Sequence, residues 1–216
     1  MKQLSVRIGL VVILCGLMTS PAMAALITYN FTGDVDRVPS QLTSSFSTSS
    51  SPTAMSGFVT LNTADTNLNT KVGNYTVTNF QVTIGGYTAT MGTSGLVEIK
   101  DGTPGLDRVI GTINSPNGAN VNFLAPRLFD VHLRGPAGTF SGDALPTTAP
   151  SISSFTNFNR WRLVFGPGDG KVVRGTLTSL TAVPLPAAVV LFGAGLVALA
   201  GLGAGSWRQR KNSIIA

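Results

Sequence analysis

Between residues 25 and 182, apolar and polar residues alternate in short runs. Ile27, Tyr29 and Phe31 alternate with Thr28, Asn30 and Thr32, and Phe80, Val82 and Ile84 with Gln81 and Thr83. Phe129, Val131 and Leu133 alternate with Asp130, His132 and Arg134, and Trp161, Leu163 and Phe165 with Arg160, Arg162 and Val164. A period of two puts one set of side chains on each face of an extended strand, so these runs predict half-buried β-strands. Val59 and Leu61 flank Thr60 in the same way, and further strands are predicted over 96–100, 106–113, 121–124 and 172–180. Gly85-Gly86 offers a two-residue hairpin turn, with Tyr87, Ala89 and Met91 on the return strand. Asp101-Gly102, Asn117-Gly118 and Asp169-Gly170 are further turn signals. No window in this region carries helical spacing. Many short strands separated by turns predict an all-β, antiparallel sandwich or barrel, and a jelly-roll-like or related β-sandwich is the expected form. Residues 40–51, nine of twelve of them Ser or Thr, and residues 143–150, with two prolines, are expected to be loops.

The two ends do not follow this pattern. Lys2 and Arg7 precede the apolar run 8–18, and Ala22-Met23-Ala24 follows. A basic start, a short apolar run and an A-x-A site read as a secretory signal peptide over 1–24, with Ala22 and Ala24 marking the cleavage site and the Sec translocon as the export route. Cys15, the single cysteine, would leave with it, so the mature chain would lack disulfides, thiolate metal sites and cysteine nucleophiles. At the other end residues 187–205 form an uncharged stretch of 19 residues, close to the roughly 20 that cross a hydrocarbon core. Arg208, Arg210 and Lys211 follow at once and act as a stop-transfer signal, because basic residues stay on the cytoplasmic side. The segment is thus expected to be an inner-membrane helix, with 25–182 outside and 212–216 as a short cytoplasmic tail.

Val183-Pro184-Leu185-Pro186 stands immediately before that stretch, and Leu191-Phe192-Gly193 lies within it. A proline motif, an Ala/Val/Leu/Gly-rich span and a short basic end, in that order over 183–211, closely resemble the PEP-CTERM sorting tail of bacterial secreted proteins in its VPLPA variant. Pro184-Leu185-Pro186 lacks the acidic middle residue of the name-giving motif. The resemblance implies an exosortase-like membrane protease-transferase as partner, cleavage near the prolines, and delivery to the cell surface or an extracellular matrix associated with exopolysaccharide and biofilm. Prolines 184 and 186 keep the chain extended just outside the membrane, the conformation a protease binds.

Candidate chemistry in the middle of the chain is sparse. His132 is the single histidine, with Asp130 two residues away on the same strand face, and no G-x-S-x-G elbow supplies a serine partner. A solvent-facing polar stripe is the simpler reading of that pair, and a lone histidine excludes a His-rich zinc site. Asp101, Asp107 and Asp169 sit in turn contexts, where aspartate serves backbone geometry. Asp34-Val35-Asp36 lacks the spaced acidic loop of an EF-hand. Arg160-Trp161-Arg162 is the one stretch resembling a ligand face: an aromatic between hydrogen-bonding groups can stack on a sugar. Trp161 nevertheless shares its face with Leu163 and Phe165, which predicts a core tryptophan between two outward arginines. The expectation is a non-enzymatic protein with no catalytic residues, metal or cofactor. A carbohydrate-binding module is the alternative, and a polysaccharide hydrolase or lyase ranks behind it.

The formal charge of +6 and pI near 10.0 invite a nucleic-acid partner. Lys2 and Arg7, together with Arg208, Arg210 and Lys211, carry five of those charges. The middle holds ten basic and nine acidic residues, so the excess charge belongs to targeting segments, and no nucleic-acid partner is expected.

Overall fold

The computed structural model describes residues 26–46, 54–65, 71–102, 105–167 and 170–183. These form ten strands: β1 (Leu26–Arg37), β2 (Ala54–Asp65), β3 (Val72–Ile84), β4 (Tyr87–Thr90), β5 (Ser94–Lys100), β6 (Asp107–Asn114), β7 (Asn117–Gly118), β8 (Pro126–Gly135), β9 (Phe158–Phe165) and β10 (Lys171–Val183). The fold is all-β and antiparallel, as the alternation predicts, but the strands close on themselves instead of stacking as two sheets. Eight of them follow one another around a barrel in the order β1-β2-β3-β5-β6-β8-β9-β10, and β10 returns to pair with β1. The expected sandwich is corrected to an up-and-down barrel with β4 and β7 attached outside it. The physical reason is that β1 pairs along one edge with β2 and along the other with β10, which leaves the eight-stranded wall itself without a free edge among the described residues.

Period-two alternation sorts the strand residues into lining and exterior. Tyr29, Phe31, Leu61, Val77, Phe80, Ile99, Phe129, Leu133, Trp161 and Leu163 are buried inside. An eight-stranded barrel is just wide enough for side chains to fill. Its middle is occupied by Phe31, Phe80 and Phe129, whose ring centroids lie 5.0–6.5 Å apart, with Trp161 stacked 6.4 Å from Phe129. Gly33 and Gly175 make room for the indole: a Cβ at either would lie about 3 Å from its ring, and still closer to backbone oxygens of the neighbouring strand. The indole Nε1–H donates to the Asp34 carbonyl at 3.2 Å.

The two ends of the barrel are plugged differently. At the end where β1 finishes, residues 40–46 are not the expected loop. A 3-10 turn, Ser40–Leu42, runs into a short helix, α1 (Thr43–Phe46), and fully buries Leu42 and Phe46. Those two residues are four apart and share one face, which outweighs the Ser/Thr content around them. Phe46 packs on Tyr87 and Phe165 at 4.9 and 5.7 Å. Residues 121–124 are a tight turn with one bridge between Val121 and Leu124 instead of a strand, and Asn117-Gly118 is a strand pairing with β4 instead of a turn. The Gly85-Gly86 hairpin forms as the sequence predicts, with Gly85 at φ 57°.

At the opposite end lie both termini of the barrel and the connection 136–157. β9 and β10 are laddered only up to Trp161 and Gly175, then separate. The Asn159 side chain bridges the gap by donating to the Leu177 carbonyl at 2.8 Å and accepting from its N–H at 2.9 Å. The connection 136–157 folds across this end as a lid, and its 3-10 turn Ile152–Ser154 lies against β10.

Candidate functional site

An apolar cavity of about 100 Å³ lies between the central aromatic layer and the lid. Val59, Val77, Val97, Val109, Gly111 and Val131 form its wall, Phe31, Phe80 and Phe129 its floor, and Phe140, Leu145, Pro146 and Pro150 its roof. Three polar side chains hold the roof. The Tyr29 hydroxyl donates to the Pro146 carbonyl at 2.5 Å and the Tyr75 hydroxyl to the Asp143 carbonyl at 2.8 Å. Asp107 is fully buried, and its carboxylate accepts from Gly102 N–H at 2.8 Å and Phe140 N–H at 2.9 Å. This is the backbone role expected of Asp107 in the sequence. Burial, with a smaller contribution from Tyr75, raises the Tyr29 hydroxyl pKa to about 12, so Tyr29 stays a neutral donor. The alternation marks residues of the wall and floor as inward-facing but not the roof, because the 22-residue lid carries no period; its prolines alone mark it as irregular.

The outer wall of β5, β6, β8, β9 and β10 carries most of the charge. Cross-strand neighbours form rows: Lys100, Arg108, Arg134 and Phe158 in one, Glu98, Ile110, His132 and Arg160 in the next, and Asp130, Arg162, Arg174 and Arg37 in a third. Arg108 pairs with Glu98 at 2.6 Å. Arg162 engages the Asp130 carboxylate through Nε and Nη2, at 2.9 and 2.5 Å. The guanidiniums of Arg134 and Arg160 lie 5.7 and 5.0 Å from the Phe158 ring centroid.

Asp130 therefore serves Arg162, and His132 stands beside it without a relay. The His132 ring meets Phe158 edge-on at 5.9 Å. Its pKa is lowered by burial first, then by Arg134, with Asp130 opposing and Arg162 and Arg108 adding. Trp161 has no exposed surface, so it cannot stack on a sugar, whereas Arg160 and Arg162 face outward as the alternation predicts. Among the described residues no group of three or more His, Cys, Asp or Glu side chains could hold a metal ion, and no helix is long and apolar enough to cross a membrane. Val183 is the last residue of β10. Pro184, Leu185, Pro186, Ala22, Ala24, Arg208, Arg210, Lys211 and the expected membrane helix 187–205 lie outside the described residues. Comparison with protein-family models, curated proteins and solved structures finds no match to this chain.

Proposed function

We propose that the chain is an exported, non-enzymatic protein of the cell surface or extracellular matrix. The signal peptide 1–24 directs it to the Sec translocon, the segment 187–205 holds it briefly in the inner membrane, and an exosortase-like enzyme cuts near Pro184–Pro186. One observation carries the reading. The barrel fills the interval between the two targeting segments: β1 opens at Leu26, β10 closes at Val183, and Thr28 pairs with Val183, so the first strand begins and the last strand ends at the same end of the barrel. Prolines cannot donate to a β-ladder, so a motif with two prolines directly after the last strand suits the extended substrate that a protease binds. The test is a Pro184→Ala/Pro186→Ala variant of the full chain in its native host. Loss of release with retained export supports the reading, and unchanged release contradicts it.

A carbohydrate-binding role is the second reading, with an acidic glycan as its ligand. Arg162, Arg174 and Arg37 are direct neighbours across three strands, about 5 Å apart from strand to strand. Asp130 already engages Arg162, so the like charges left opposite one another are those of Arg174 and Arg37; such a pair is destabilising, and a planar anion such as a sugar carboxylate relieves that repulsion while accepting bidentate bonds. Retention of the full chain on polygalacturonate, lost in Arg37→Ala/Arg174→Ala and absent on neutral dextran, supports it; equal retention of the variant refutes it.

A further inference from the structure

The anomaly that goes furthest is a glycine. Strands use glycine where the chain must take positive φ or where another group comes too close for a Cβ. Gly57, Gly73 and Gly95 follow the second rule: an added Cβ would lie 2.3 Å from the Gln81 carbonyl oxygen, 2.3 Å from the Asp143 carbonyl oxygen, and 2.7 Å from Ile113 Cδ1. Gly111 follows neither. It sits inside β6 with ordinary negative φ, and a Cβ there would meet Val97 Cγ2 at 3.7 Å and Val131 Cβ at 3.9 Å, which is normal contact. The space in front of Gly111 is the cavity itself.

We propose that this cavity is a binding site for a small uncharged apolar ligand, the size of a benzene ring or the end of an alkyl chain, and that Gly111 keeps it open. The chemistry of the wall defines the ligand. Valine, phenylalanine and leucine side chains surround the space, while the hydroxyls of Tyr29 and Tyr75 and the carboxylate of Asp107 are spent on holding the roof. A water needs two to four polar partners, and this wall does not offer them, so the space favours an apolar guest. A charged group would be left unpaired there and is excluded. The proposal stands apart from the export reading, since it concerns the interior of the barrel and not its delivery.

The test uses the full chain with two probes, benzene for a free hydrophobe and 1-octanol for the end of an alkyl chain. Each is titrated while melting temperature and the NMR signals of the valine methyls on the wall are followed. Saturable binding of either probe, weakened at least tenfold in Gly111→Leu, supports the proposal, and the tighter probe identifies the source. If Gly111→Leu does not fold, Val131→Leu fills the same space from β8 and is read in the same way. Absence of binding by both probes, or equal binding by native and filled variants, overturns it.

Discussion

Replacing Gly111 with alanine should stabilise the protein, although it alters the middle of a strand in the barrel wall. The added methyl enters a cavity of about 100 Å³ and makes ordinary contacts at 3.7 and 3.9 Å. Burying it contributes about 0.8 kcal/mol. Restricting the unfolded chain adds about 0.4–1 kcal/mol, because the native conformation is one alanine adopts freely. The sum is a gain of about 1–2 kcal/mol, or a rise of roughly 3–6 °C in melting temperature for a domain of this size. Gly95→Ala on the adjacent strand is the control. Its Cβ would stand 2.7 Å from Ile113 Cδ1 and Val77 Cβ, inside van der Waals contact, and overpacking of that kind costs about 1–3 kcal/mol. Urea unfolding of the two variants beside the native chain decides the matter. Opposite signs are expected; a destabilised Gly111→Ala would refute the claim that the cavity, and not the backbone, occupies this space.

Three further outcomes follow from the same geometry. Asn122 and Phe123 both take positive φ, at 47° and 65°, and Phe123 is fully exposed at the tip of its turn, so Phe123→Gly should raise stability by about 1 kcal/mol in thermal unfolding. Asp107→Ala leaves two backbone N–H donors without their carboxylate partner beneath the lid and should cost roughly 3 kcal/mol, with earlier amide exchange at Phe140. Burial raises the hydroxyls of Tyr29 and Tyr87 from 10.0 to about 12. The unfolded chain loses these protons first, so stability should be intact below pH 10 and fall between pH 10 and 12, with a shallower fall in Tyr87→Phe.

The strands were legible because burial enforces period two. Phe129, Val131 and Leu133 line the interior while Asp130, His132 and Arg134 point to the outer wall, where Asp130 is buried rather than solvent-facing, and Trp161 proved a core residue for the same reason. Closure was not legible. A sandwich and a barrel demand the same alternation, and the pairing that distinguishes them joins Phe31 to Leu180, far apart in sequence and without a local signal. The plug Leu42–Phe46 was hidden because two buried residues are too few to show a helical period among serines and threonines. The cavity was hidden because a vacant volume depends on what all the strands leave unfilled. Gly111 reads in the sequence as one more glycine, and only its neighbours across β5 and β8 show that it fills no structural need.

The proposed delivery consists of export, brief anchorage and removal of the tail. Intact-mass and terminal-peptide mass spectrometry of the native protein, from cell-bound and released fractions, tests it most directly. The released chain should begin at Ala25 and end near Pro184–Pro186, without Trp207, Arg208, Arg210 or Lys211. A released chain that keeps Met1, or one that carries the intact basic end, contradicts it.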